Sequence, residues 1–407
     1  MNGRRPHYGH VIVAAGAAIQ AVGVGTYVAF GVFFGPLLAE FGWSRAVLSG
    51  AHSSAFLVAG VVGILIGRLS DRFGPRLLMT GAAALFGLGL GLLSQVRAPW
   101  QLYVSYSLVF GIGLGAVDVI ALTTTARWFV RRRGAMTGIV KMGTGAGQLA
   151  MPLVATALIT SLGWRLSYLM LGAAAMLLLG SAAQVLRRDP AAMGLLPDAG
   201  IPEARTEAAA PSEGGSNFRQ ALWTRQLWTI LLANLAAVFA LMIVMLHIVP
   251  HAIDLGVAAP AAAGLLSTIG GVSMLGRFTV GNAIDRIGAR RSMVACFALL
   301  IGVLLWLQAA RELWMLYLFA AAYGFTHGGF FTLISPIVAE YFGLRSHGLL
   351  LGLLVCAGTV GGFAGPLLAG HIFDVTASYR LAVWMGTGSA AAGLALVLTL
   401  GPAEPCA

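Results

Sequence analysis

Charge is scarce in this 407-residue chain: only 10% of its residues are Asp, Glu, Lys or Arg. A soluble domain carries about a quarter. Among 25 cationic residues only one is lysine, Lys141. Cysteine is scarce too, and the spacing of Cys296, Cys356 and Cys406 suits neither a metal site nor a disulfide framework. No Walker loop, hydrolase elbow or other catalytic constellation is present, so the sequence offers no basis for an enzyme or a bound cofactor. The run Gly138–Gly147 reads GIVKMGTGAG. No strand precedes Gly143, Gly145 and Gly147, so they are not a nucleotide loop, and close helix packing is the better reading. What the chain has in excess is apolar surface. It is 58% hydrophobic with 55 glycines, and its mean hydropathy is +0.87. Such a composition predicts an all-α protein that crosses a membrane many times.

A crossing helix needs roughly 20 apolar residues. Twelve such runs are found, near 9–36, 45–67, 76–96, 100–126, 134–160, 164–186, 225–250, 259–283, 291–309, 313–339, 346–371 and 379–400. The first follows the basic start MNGRRPHYGH with no cleavage site, so it reads as a membrane helix rather than a signal peptide. Placing both termini in the cytoplasm puts eighteen arginines on inward segments and five on outward ones, with Lys141 and Arg277 left inside the helices. That bias fixes the orientation. It also accounts for the net charge of +11 without a nucleic-acid partner. The basic side chains lie beside anionic lipid, as in a bacterial inner membrane. Residues 187–220 are rich in Pro, Gly, Glu and Ser and read as a linker. The expected division is an N-terminal six-helix bundle (1–186), a cytoplasmic linker (187–224) and a C-terminal six-helix bundle (225–407), acting as a monomer.

The halves echo each other. GRLSDRFGPR follows the second run and GNAIDRIGARR the eighth, both fitting G-x-x-x-D-R-x-G-x-R, with Asp71 and Asp285 214 residues apart. Two related halves joined by a loop are an architecture of secondary transporters, with the substrate site between them. The motif resembles the signature loop of the major facilitator superfamily. That resemblance implies that Asp71, Arg72, Asp285 and Arg286 gate the cytoplasmic side. PLLAEFGWSRAVLSGA from Pro36, ARWFVRRRGAMTGIVKMGTGAG from Ala126, and an arginine within the eighth helix resemble bacterial members of the monocarboxylate transporter family, to which oxalate–formate exchangers are related. The resemblance implies that Arg277 binds a substrate carboxylate and that a proton moves with the anion.

Ionisable groups inside a membrane cost roughly 2.5–3.5 kcal/mol each on insertion scales and usually face the bundle interior. Three lie deep here: Asp118, Lys141 and Arg277. Helical rise places them about 12–13 Å from the cytoplasmic boundary. Lys141 therefore either neutralises Asp118 on the preceding helix, or one of the two joins the site as a substrate cation or proton carrier. Alternatively Arg277 pairs with Asp118 and leaves Lys141 for the substrate. In each case the three charges sum to one net positive charge, matching a monoanion. Ser273 stands where the family's human members have an aspartate, one turn before the arginine. The oxalate exchangers' lysine in helix 11 is absent, which favours a monocarboxylate over a dianion.

Tyr27 and Ser273 are further candidates for binding the substrate's hydroxyl or carboxylate. His327, near the membrane centre of helix 10, and His247 and Asp254, at the outer end of helix 7, join Asp118 as candidates for coupling the proton. His52 reads as structural. The expected function is proton-coupled transport of a lactate- or pyruvate-like acid by alternating access. An exchanger for formate- or oxalate-type anions and a non-transporting carboxylate sensor are the alternatives.

Overall fold

The computed structural model describes residues 8–43, 45–197, 217–376 and 378–401. Arg4, Arg5 and Arg205, counted above as inward cations, lie outside the described residues, as does most of the polar linker. The described residues form twelve long helices. In the first half these are α1 (Tyr8–Phe41), α2 (Arg45–Phe73), α3 (Pro75–Leu93) and α4 (Pro99–Trp128). Arg133–Val185 follows, interrupted at Gly163, where φ 75° and ψ 162° suit glycine alone. The interruption makes α5 (133–162) and α6 (164–185). In the second half are α7 (Arg225–Asp254), α8 (Ala259–Ile287), α9 (Ala289–Ala309), α10 (Leu313–Phe342), α11 (His347–Thr376) and α12 (Arg380–Leu398). The expected runs and observed helices agree within a few residues. Apolar patterning does not reveal the π-helical stretch Tyr103–Phe110 inside α4. There Tyr106 stacks on Phe30 and Phe110 at 4.3 and 4.7 Å.

Nine stretches among the described residues are long and apolar enough to span a membrane, with α5 and α6 in one stretch. The two remaining helices, α8 and α10, carry the buried Arg277 and His327. Outward-facing leucines such as Leu153 and Leu177, 68% and 66% exposed, suit lipid contact rather than water.

Two six-helix bundles, α1–α6 and α7–α12, meet along α2–α11 and α5–α8. Glycine lets these backbones touch. A Cβ on Gly67 would lie 2.0 Å from the Gly348 carbonyl oxygen, and one on Gly281 would lie 2.6 Å from that of Gly134. Each partner of the first contact lies 214 positions from one partner of the second, the same offset that separates Asp71 from Asp285. The turns after α2 and α8 follow the same rule. Gly74 and Gly288 both have φ 84°, which explains the second glycine of the repeated motif. The close contacts between halves run through the ends of the helices nearest these turns. Toward the other end, Gly270 and Gly271 of α8 and Gly31 of α1 have nothing within 4 Å of where a Cβ would be. The halves are packed from the end nearest these turns to mid-helix, where a Cβ on Gly60 would lie 2.1 Å from the Thr359 hydroxyl oxygen.

Candidate functional site

The glycine run in α5 sorts its neighbours by face. Gly143 and Gly147 lie against the carbonyls of Ala17 and Ala21 in α1, where a Cβ would come within 2.0 Å of either oxygen. Gly138 and Gly145 face α8 instead, against the Arg277 carbonyl and the Met274 and Arg277 side chains. Lys141 projects between these faces. Its Nζ donates to Asp118 Oδ1 of α4 at 2.6 Å and lies 5.9 Å from the Phe331 ring centroid of α10. The first of the three arrangements open from sequence is therefore the one observed: Lys141 pairs with Asp118.

A residue with no assigned role organises this pair. Gln20 of α1 is fully buried. Its Nε2 donates to Asp118 Oδ1 at 2.7 Å, while its Oε1 accepts from Thr144 of α5 at 2.8 Å. Both side-chain bonds to Asp118 thus fall on one oxygen. Its side chain remains 27% accessible against 3% for Lys141. The second oxygen accepts no side-chain hydrogen bond among the described residues.

Arg277 enters from the other half. Its side chain is buried, 1% exposed, and Nη1 donates to Ser273 Oγ at 2.5 Å. Ser273 in turn donates to the Gly270 carbonyl. The Arg277 Nε has no hydrogen-bond partner, and no ion pair of Arg277 occurs among the described residues. Its charge acts on Asp118, Lys141 and His327. His327 is buried between Tyr323 and Phe331, with its Nδ1 also unpartnered. Asp118, Lys141, Arg277 and His327 therefore form one group between the halves. Such groups persist in an apolar interior only when charges are compensated or a ligand compensates them.

The other sequence candidates lie elsewhere. Tyr27 stacks on His52 at 4.1 Å, and the His52 ring also meets Tyr106, a packing role for His52 as expected. His247 contacts the Pro366 carbonyl at 3.0 Å and the Tyr379 ring. Asp254 lines a cavity of about 290 Å³ with His251, Arg311, Tyr379 and Arg380 at the end of α7. Neither His247 nor Asp254 shares a partner with the central group.

At the packed end, Asp285 accepts from the backbone N–H groups of Gly134 and Ala135 at 2.7 and 2.8 Å. Asp71 faces the N–H groups of Gly348 and Leu349. Each carboxylate thus sits on the N-terminus of a helix from the opposite half, where the helix dipole favours an anion. Asp71 is also paired with Arg127 at 2.9 Å, and Arg127 reaches Asp189 at 3.2 Å. Arg72 and Arg286 are exposed, and neither forms an ion pair among the described residues. Arg72 lies over Phe73 instead. The sequence missed Arg127 because the repeated motif drew attention to its own arginines.

Two six-helix bundles closing over a shared buried charge group define a membrane transporter fold. The sequence profile of the Major Facilitator Superfamily matches residues 13–281 and 254–405, and the chain belongs to that superfamily. It is 28% identical over 395 residues to monocarboxylate transporter 13 of Bos taurus, covering 97% of this chain and 89% of that one. It is 26% identical over 335 residues to the MFS transporter asaE of Aspergillus flavus, covering 81% and 72%. The structure of the proton:xylose symporter XylE matches with a TM-score of 0.78 at 16% identity, over 97% of this chain and 96% of that one, a likeness of fold alone. The chain is an integral membrane transporter with monocarboxylate-transporter-like relatives, not an enzyme.

Proposed function

We propose that this transporter carries a small monocarboxylate of the lactate or pyruvate kind together with a proton, by rocking of its two halves about the central group. The observation that carries the reading is Arg277, a buried guanidinium between the halves with no carboxylate partner among the described residues. A planar guanidinium binds a carboxylate through two parallel hydrogen bonds. With Lys141 balanced by Asp118, the group keeps one positive charge, and a monoanion cancels it. Ser273 holds the arginine in place, and Tyr27, stacked on His52 away from the central group, is the more remote candidate for a substrate contact. Asp118, whose second oxygen accepts no side-chain bond, and His327 are the proton carriers best placed to sense the anion. Asp254 and His247 are more remote.

Asp71 and Asp285 act as the inward latch, with Arg127 in the role first expected of Arg72 and Arg286. In this reading the packed end faces the cytoplasm with both termini, residues 1–186 and 225–407 are the moving bodies joined by the linker 187–224, and the membrane is a bacterial inner membrane. The orientation rests on the arginine bias. The transporter works as a monomer.

Uptake of labelled L-lactate into proteoliposomes tests the reading. Accumulation driven by an inward proton gradient, and abolished by a proton ionophore, is expected. Uptake that needs internal anion and ignores the gradient would replace the symporter with an exchanger.

A further inference from the structure

We infer that Lys141 is shared between two anions: it holds Asp118 while the site is empty, and turns to the substrate carboxylate once a proton has taken its place on Asp118. The inference rests on the proton-coupled carboxylate reading above and specifies which groups do the coupling.

Four features of the site support it. The Lys141 ammonium and Gln20 both bond Asp118 Oδ1, which leaves Oδ2 without a side-chain donor and free to take a proton. Gln20 is itself fixed by Thr144, so the carboxyl group stays in place when the lysine leaves. Lysine suits the exchange, being a compact charge with rotatable donors on a flexible stem. Finally, the lysine already lies near the Phe331 ring and feels the charge of Arg277 across the interface, whose Nη1 packs against Gly145 one turn along α5, the direction in which an anion on Arg277 would lie.

Few other groups compete. Among the described residues of elements packed against α4, α1 presents the uncharged Gln20 and α5 presents Lys141. His327 of α10 and Lys141 both pack near the Phe331 ring, and the charge of Arg277 of α8 acts on Asp118, Lys141 and His327. From α2, α3 and α11 no charged group acts on Asp118.

Charge conservation follows from the exchange. The empty, deprotonated group holds Asp118⁻, Lys141⁺ and Arg277⁺. The loaded group holds neutral Asp118, both cations and one anion. The two states that must change access have the same net charge. A proton alone leaves two cations facing each other, and an anion alone meets a lysine already taken. Each ligand therefore improves the site for the other, as reciprocal coupling requires.

The test uses the purified full-length protein as wild type, Asp118→Asn and Lys141→Gln, with L-lactate affinity measured by calorimetry from pH 5 to pH 8. Wild-type affinity is expected to strengthen by up to tenfold per pH unit as pH falls, as for one linked proton. Asp118→Asn is expected to bind at least tenfold more tightly than wild type at pH 8, with no pH dependence. Lys141→Gln is expected to bind at least tenfold more weakly than wild type at pH 5. An Asp118→Asn protein that keeps the wild-type pH dependence overturns the inference. So does a Lys141→Gln protein with wild-type affinity at pH 5, which decides the matter if Asp118→Asn does not fold. Because Lys141 is the only lysine, reductive methylation reads it separately from the N-terminal amine by mass spectrometry. Labelling of Lys141 should rise in Asp118→Asn relative to wild type. If the wild type binds neither lactate, pyruvate nor formate, the small-monocarboxylate reading fails. Unchanged Lys141 labelling in Asp118→Asn would then overturn the exchange independently.

Discussion

Asp285 accepts the backbone N–H of Gly134 at 2.7 Å although the two belong to opposite halves of the molecule. Subtracting 214 from the number of the carboxylate and adding it to that of the glycine gives Asp71 and Gly348, which face each other in the same way. One interaction is thus made twice, once from each half. Both copies lie at the packed end. The repeat is therefore a property of the interface as well as of the chain: each half offers a carboxylate to a helix N-terminus of the other.

Removing one carboxylate should loosen the packed end without unfolding the bundles. Hydrogen bonds to a charged group contribute about 1.5–3 kcal/mol each. Asp285→Ala, which loses two, is expected to shift the population toward a form open at that end by at least tenfold. Spin-label distances between the halves across this face would lengthen. An unchanged distance distribution would mean that the glycine contacts alone keep the end closed.

Glycines two residues apart should fail in different ways. Gly147→Ala drives a Cβ into the Ala21 carbonyl, a rigid neighbour. Overpacking of this kind costs about 1–3 kcal/mol and should appear as a lower melting temperature. Gly145→Ala meets the flexible side chains of Met274 and Arg277. It is expected to keep most of its thermal stability and to lose at least fivefold in L-lactate affinity.

Gly288 holds φ 84° and ψ 160° at the α8–α9 turn. A side chain there is strained by about 1–3 kcal/mol. Gly288→Ala should lower the melting temperature, and Gly74→Ala, at the matching turn, should lower it by a similar amount. If only one of the two does so, the turns are not equivalent.

Asp118 and, second to it, Asp254 were candidates in the sequence for carrying the proton, and of the two only Asp118 joins the central group. Asp118→Asn is expected to lose gradient-driven accumulation at least tenfold while retaining lactate counterflow. Asp254→Asn is expected to keep both within about twofold. Paired uptake and counterflow assays on the same proteoliposomes distinguish the two outcomes.

Much of the architecture was legible because membrane insertion is a one-dimensional constraint. Apolar run lengths defined twelve helices, and the spacing of Asp71 and Asp285 exposed the repeat. Depth along the helix also brought Asp118 and Lys141 to one level, and the structure joins them. Depth does not reveal which way a side chain points. These helices are apolar nearly all round, so periodicity does not mark the face turned to a neighbour. For that reason the sequence assigned Gln20 no role, although it bridges Asp118 and Thr144. Arg127 was counted only as an inward cation, although it binds Asp71. Gly143 and Gly145 looked alike in the sequence but pack against different helices.

The measurement closest to the central claim is saturable uptake of labelled L-lactate by proteoliposomes holding either wild type or Arg277→Gln, under an inward proton gradient and at equal amounts of folded protein. Loss of the carboxylate's guanidinium partner should reduce uptake by at least a hundredfold, to the level of protein-free vesicles. Uptake by Arg277→Gln with wild-type KM and kcat would contradict the account, because the buried cation between the halves would then not be where the anion binds.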